Sequence, residues 1–484
     1  MSRLAHHAAS LTLARLANYG LMLLSPIVLV RVLSVEEFGR YREFLLYGSF
    51  LQSIGAFAIQ DSLLYFIPAN PQSPWRVVRQ TVTLMFATTT LVALGLIVID
   101  LASGGAVVGV YLWPLVLYLL LTVNFDFWEM YFLANHRPGA MFAYSASRLI
   151  VRLLVVLAVS VLTHEVGAII WSLVALEATR MLASAIAFFI RVRAARHEPP
   201  LANPWRAQLS FCLPSGAGSM VALLNRTLSS LVVAKMLGPA ALAQFAIGRF
   251  SEPVVVIVRN SISTVVLPEM VRRRRDSRES PLVLWRRATV MNAMLLLPIA
   301  VLVARFAHPL VTTVFGQQYA PAAAVMQIYM LVLVRECCDF SPALRAISRP
   351  APIMFSNLAA LAVGALTLFA ILPGAGIRGA MAASVLACFV DATWLGCAVA
   401  KFHGVSLREL VPWRTLGRIA LAAGLAAVVI ASPMWTETLG FAGVVVAGVV
   451  YLAAFGVLLK LLRVPEVELV LQSVRKSVLR WSRA

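Results

Sequence analysis

Apolar residues run through this chain in long blocks, separated by short gaps in which the arginines gather. A helix needs roughly 20 mostly apolar residues to cross the hydrocarbon core of a bilayer. Val82–Leu101, Ala106–Leu121, Ala359–Leu372 with its flanks, and Phe441–Leu459 have that character. The pattern predicts fourteen helical spans, at about 11–33, 43–67, 80–101, 106–133, 139–162, 167–190, 208–237, 241–268, 288–314, 320–343, 351–373, 377–400, 416–433 and 440–462. Pro114, Pro214 and Pro253 fall inside spans four, seven and eight. Proline is tolerated there because neighbouring helices re-satisfy the freed backbone. Leu11–Leu33 is too long for a signal h-region, and no small-residue cleavage pattern follows it. It is therefore expected to stay as the first span.

Composition agrees with an all-α polytopic membrane protein. Of the 484 residues 61% are hydrophobic and 13% charged, where soluble domains carry about 25% charge. The net charge of +20 could point to nucleic acid, and so could the run Arg272–Arg275. That run lies between two apolar blocks, so the charge reads as loop charge and no nucleic-acid partner is expected. Lys and Arg concentrate in the even-numbered gaps, from Arg76 and Arg79 to Lys401, Arg408 and Arg414. The gaps near Ser103, His164 and Thr436 carry no Lys or Arg. The first gap is an exception, with Arg31, Arg40 and Arg42 beside Glu36 and Glu37. The bias puts both termini in the cytoplasm, and an even span count requires both on one side. After Arg463, Val467, Val470, Leu471, Val474, Val478 and Trp481 share one helical face with basic neighbours. Two readings stand for this tail: a helix lying on the inner leaflet, or a solvated one.

The two halves of the chain repeat. Val30-Arg31-Val32-Leu33-Ser34 through Tyr41 matches Ala234-Lys235-Met236-Leu237-Gly238 through Phe245 in its cation, leucine, small residue and aromatic. Ile67-Pro68 matches Leu267-Pro268, and Arg137-Pro138 matches Arg349-Pro350, at spacings of about 200–212 residues. Six spans therefore recur as six more in the same orientation, with two left over. The expected organisation is a lobe at 1–192, a cytoplasmic linker at 193–207, a second lobe at 208–401, two further spans at 402–463 and a basic tail at 464–484. Parallel repeats of this kind are a transporter device, with substrate between the halves.

The opening Arg31-Val-Leu-Ser-Val-Glu-Glu-Phe-Gly-Arg-Tyr41 resembles the "R-x-L-G-x-x-x-[FY]-G-x-[FY]" pattern of polysaccharide and O-antigen flippases, with Ser34 where the family usually has Gly. Those belong to the multidrug/oligosaccharidyl-lipid/polysaccharide exporter superfamily. Phe211-Cys-Leu-Pro-Ser-Gly216 and Lys235-Met-Leu-Gly238 resemble the start of that family's second lobe. The resemblance implies two six-helix lobes in a V shape, alternating access, and a lipid-linked sugar as cargo. It also implies that spans thirteen and fourteen line a groove for the lipid tail.

Ionisable groups at membrane depth are costly, so each is a functional candidate. Arg249, Glu252 and Arg259 form one stripe on span eight; Asn225 and Arg226 lie on span seven, after Pro214-Ser-Gly-Ala-Gly218, which is expected to loosen the helix; Arg15 lies on span one before Asn18-Tyr19-Gly20. A lipid-linked oligosaccharide carries a pyrophosphate, which suits guanidinium forks. Arg15, Arg226, Arg249 and Arg259 are expected to hold it in a cationic cavity, with Glu252 orienting Arg249. Against this stand a snorkelling Arg15 and a simple Arg249–Glu252 ion pair. In the first lobe, Tyr118, Thr122, Asp126 and Glu129 on span four face Tyr144, Arg148 and Arg152 on span five and Glu177 and Arg180 on span six. Salt bridges are one reading. The other makes Asp126 or Glu129 a proton or cation site that drives transport, with Asp339 and Asp391 as counterparts.

No P-loop, zinc spacing or serine-hydrolase elbow is present, and no cofactor or metal is expected. The five cysteines fall inside spans and read as core residues without disulfides. A polytopic glycosyltransferase or polymerase using Glu36 and Glu37 as an acidic pair, and a multidrug exporter, remain as alternatives to the flippase. The expected partners of a flippase are the polyprenyl-diphosphate glycan, membrane lipids, and polysaccharide polymerase and export proteins.

Overall fold

A computed structural model describes residues 24–464, apart from 202–203, 254, 257–265, 268, 273–280, 348, 350 and 438–439. Arg15, Arg259 and the basic tail from 465 lie outside the described residues. Among the described residues the regular secondary structure is helical throughout. Contacts divide the chain into two compact units, Met1–Ala243 and Gln244–Ala484.

The first unit begins with helical residues 24–32. Ser34 then starts α1 (Val35–Ala56) with a capping box: its hydroxyl accepts from the Glu37 amide, and the Glu37 carboxylate accepts from the Ser34 amide. These bonds hold the Glu37 carboxyl below the usual carboxylate range. α2 (Leu63–Ala69) and α3 (Pro74–Ala102) follow. The N-terminal amides of α3 at Trp75 and Arg76 donate to the Glu198 carboxylate, at 3.3 and 3.0 Å. At the other end Asp100 Oδ1 accepts from the amides of Val107, Val108 and Gly109 and pins the turn.

α3 also shows which solvent the fold is built for. Met85, Thr89, Ala93, Leu96 and Asp100 form its buried stripe. The outer face carries Leu91, Leu94, Val98 and Leu101, all more than half exposed. A continuous apolar exterior is stable only against lipid, so the chain is a multi-pass membrane protein. Among the described residues eight helical stretches are long and apolar enough to cross a membrane.

The expected span at 106–133 is not one helix. It divides into α4 (Leu112–Val123) and α5 (Trp128–Ala134), with Phe125 in the left-handed region at φ 57°. Asp126 therefore sits in the break, off the helical face on which the spacing placed it. α6 (Pro138–Thr163) and α7 (Val166–Ala194) complete this group. α8 (Pro204–Gly248) packs back on them. Its Gln208 side chain is buried and donates to the hydroxyls of Ser62 and Thr81, at 2.7 and 2.8 Å. The segment Pro214–Gly218 stays helical rather than loosening; the non-helical residue in α8 is Gly238, at φ 82° and ψ 178°. Gly216 instead allows close approach, since a Cβ there would meet the Phe57 ring at 2.6 Å.

The second unit contains α9 (Pro281–Phe315), α10 (Ala322–Glu336), α11 (Ser341–Ala346) and α12 (Ala351–His403). α12 bends at Gly376, at the expected junction of spans eleven and twelve. Its 53 residues amount to about 80 Å of helix, enough for two crossings of a core about 30 Å thick. α13 (Leu407–Leu410), α14 (Trp413–Val429), α15 (Met434–Glu437) and α16 (Gly440–Leu461) follow.

The two units share internal landmarks. Trp75 packs edge-on to Phe127 at 6.2 Å, and Trp285 stacks on Phe340 at 5.1 Å. Arg76 Nε donates to the carbonyl of Glu198, and Arg286 donates to the carbonyls of Glu409 and Leu410. Trp75 and Trp285, Arg76 and Arg286, Phe127 and Phe340, and Glu198 and Glu409 recur at offsets of 210–213 residues. Span ten breaks as span four does, at Cys337–Phe340 between α10 and α11. The repeat thus appears as matched contacts as well as matched letters.

Candidate functional site

Among the described residues three groups of charged side chains at membrane depth bear on the site. The first lies on α8 and just beyond it. Asn225 is half-buried and Arg226 exposed, both within a 44-residue apolar helix. Arg249 follows the end of α8 in a tight turn and Glu252 is helical again just after it, with Arg249 Nη2 2.8 Å from Glu252 Oε2. The Arg249 guanidinium also lies over the Phe245 ring, 5.8 Å from its centroid. Gly248 lets this turn press on α10, where a Cβ would meet Val325 at 2.4 Å. The ion pair set beside the binding role in the sequence is thus present; Arg259, the third member of the expected stripe, lies outside the described residues. Arg226 belongs to the first compact unit and Arg249 to the second.

The second group is the core of the first unit. Arg148 Nη1 donates to both oxygens of Asp126, at 3.0 and 3.1 Å. Arg180 Nε donates to Glu177 at 2.5 Å, and its Nη1 reaches Asp126 at 3.5 Å. Arg148 Nη2 lies 3.7 Å from Glu177. Arg180 Nη2 also donates to the carbonyls of Leu121 and Thr122, at 2.6 and 2.8 Å. Those are last-turn carbonyls of α4, which a helix end leaves without partners. A cation there also meets the negative end of the helix dipole. The break in span four is therefore bound up with this network. Salt bridging, one of the two readings of the sequence, is what surrounds Asp126. Glu129 stands in the first turn of α5, where a carboxylate is favoured by the helix dipole.

The third group is in the second unit. Arg335 pairs with Glu336 at 3.0 Å and with Asp391, and its Nε donates to the Cys388 carbonyl. Asp339 Oδ1 accepts from the Ser341 amide at 3.1 Å and its carbonyl from Trp285 Nε1 at 2.6 Å. Arg180 and Asp391 are equivalents in the repeat, as are Thr122 and Arg335. In the first unit Arg180 on span six thus reaches the carbonyl of Thr122, whereas in the second Arg335 on span ten supplies the guanidinium and Asp391 the carboxylate.

Among the described residues no group of three or more His, Cys, Asp or Glu could hold a metal ion. Glu36 pairs with Arg40 at 2.7 Å, and Glu37 closes the α1 capping box. Sequence reasoning missed Glu198 and Gln208, which tie distant segments together through hydrogen bonds. Local spacing carries no signal for either.

A sequence model of the family described as "Polysaccharide biosynthesis protein" matches residues 28–324. No curated protein matches the chain in sequence. Among solved structures, the fold is similar to "Lipid II flippase MurJ, inward closed conformation", with a TM-score of 0.66 and 13% identity over 92% of this chain and 99% of that one. It is also similar to a multidrug resistance MATE family transporter of the MOP superfamily in an inward-facing conformation, with a TM-score of 0.56 and 13% identity over 82% of this chain and 99% of that one. The fold is MurJ-like and all-helical.

Proposed function

The chain belongs to the polysaccharide biosynthesis protein family, and from that premise we propose that it is a flippase for a lipid-linked oligosaccharide. It carries a polyprenyl-diphosphate glycan from the cytoplasmic to the outer leaflet of a bacterial inner membrane. The product feeds O-antigen, exopolysaccharide or capsule assembly, in company with polymerase and export proteins. Two six-span lobes, 1–192 and 208–401, alternate in access, and both termini stay in the cytoplasm. The observation that carries this reading is Arg226, an exposed guanidinium midway along an apolar helix. Ionisable groups at such depth are costly to place, which makes Arg226 a functional candidate. Arg226 and Arg249 hold the diphosphate, together with Arg15 and Arg259 from the same spans and their equivalents. Asn225 donates to the glycan, and Glu252 releases Arg249 when cargo arrives. Ion coupling, in the same reading, runs through Asp126 and Glu129 or through Asp339 and Asp391.

Arg226→Glu and Arg249→Glu test it. Each is expected to stop export and to leave lipid-linked sugar on the inner leaflet, while the protein stays at its normal level in the membrane. Export at the wild-type rate in both variants removes these residues from the site.

A further inference from the structure

Tyr144, Arg148 and Arg152 follow one another at steps of four on α6, opposite the lipid-exposed Ile150 and Leu154. Arg148 is fully engaged by Asp126 and Glu177. Arg152, one turn on, has no hydrogen bond or ion pair among the described residues. Its electrostatic neighbours are the phenols of Tyr118 on α4 and Tyr41 on α1, with Glu177 and Arg148 farther along the same face. Tyr41 and Tyr118 are both buried, and Tyr118 is wedged between Phe44, at 5.3 Å, and the bare Cα of Gly48.

The charges of this cluster do not balance. Arg148, Arg152 and Arg180 face two carboxylates, Asp126 and Glu177. The carboxylates are consumed by Arg148 and Arg180. Arginine does not shed its proton in a protein, and a guanidinium away from water needs a counter-charge. One hydroxyl one turn beyond Tyr118 also lacks a partner, Thr122 Oγ1 on α4. Thr122 is 5% exposed. A guanidinium set against two buried phenols and a buried, unpartnered hydroxyl forms a receptor for an oxygen anion.

We propose that the first unit holds an anion site of its own at Arg152, between Tyr41 and Tyr118, that takes a single oxyanion. The source is either the carboxylate of an acidic sugar in the cargo or a free inorganic anion. The site itself stands on the charge imbalance; only the assignment to a sugar carboxylate rests on the flippase reading. As a carboxylate subsite, it would make this chain selective for glycans that contain uronic acids.

The test is calorimetric binding to the full-length protein in lipid nanodiscs, with glucuronate, phosphate and chloride as probes and glucose as the neutral control. Glucuronate is expected to bind saturably and glucose not at all. Arg152→Gln should weaken glucuronate about thirtyfold or more, the scale of losing one partner of a buried charged contact. Arg152→Lys should weaken it less. Should Arg152→Gln fail to reach the membrane, Tyr118→Phe removes a hydroxyl and is still expected to weaken binding several-fold. Preference for glucuronate over phosphate and chloride assigns the site to the cargo's carboxylate; equal Arg152-dependent binding of the inorganic anions assigns it to a free anion. Absence of any Arg152-dependent binding overturns the site. Probe binding is read on purified protein and glycan accumulation in cells, so failure of this site leaves the flippase reading to its own test.

Discussion

Replacing Asp126 by alanine is expected to destabilise the first unit by about 3 kcal/mol or more, the usual result of removing one partner from a buried ion pair. Asp126 is 18% exposed and lies between Arg148 and Arg180, which are 25% and 11% exposed. Without it two guanidiniums face each other across the break in span four, with Glu177 alone to serve both. The measurement is thermal unfolding of the purified protein, alongside Arg148→Met and the double variant. The double variant should recover part of the loss, with a coupling of about 1 kcal/mol or more. Additive losses would mean that the Asp126–Arg148 contact contributes nothing. Asp126→Asn addresses transport separately. If it and Glu129→Gln keep the wild-type rate and its pH dependence, ion coupling through these two carboxylates is ruled out.

Gly39→Ala is expected to have the second large effect. A Cβ on Gly39 would fall 2.0 Å from the carbonyl oxygen of Pro239 and 2.3 Å from its carbon. These are backbone atoms, so no side-chain rotation can relieve the clash. The first turn of α1 must then move away from the Gly238–Pro239 break in α8. Overpacking of this kind costs about 1–3 kcal/mol where the structure can yield, and this contact is at the severe end. Gly95→Ala on α3 is the control, because nothing lies within 4 Å of its Cβ position. Gly39→Ala should lower the unfolding temperature by several degrees and slow export, while Gly95→Ala should do neither. Equal behaviour of the two variants would mean that α1 and α8 do not approach as closely as described.

The helices were legible because lipid imposes a coarse rule, about twenty apolar residues per crossing, which composition displays directly. Gly238-Pro239 and Gly376 signalled their breaks, being residues that suit a non-helical backbone. The break in span four gave no such signal. Phe125 is a bulky residue in the left-handed region, held there by the aromatic cluster of Phe86, Phe188 and Phe189. Spacing alone therefore put Asp126 on a helical face that does not exist. Opposite charges on spans four, five and six made pairing foreseeable, but not the partners. Arg180 reaches back to the carbonyls of Leu121 and Thr122, which only the broken helix leaves open.

A protein that moves a sugar carried on a polyprenyl diphosphate leaves that sugar behind when it is lost. The most direct measurement is the lipid-linked glycan content of cells from which the gene has been removed, resolved by leaflet. A complete oligosaccharide on its lipid carrier is expected to accumulate on the inner leaflet as the surface polysaccharide disappears, and the wild-type gene should reverse both. Normal surface polysaccharide without such accumulation, with drug sensitivity as the sole change, would contradict the claim and point to an exporter of small molecules.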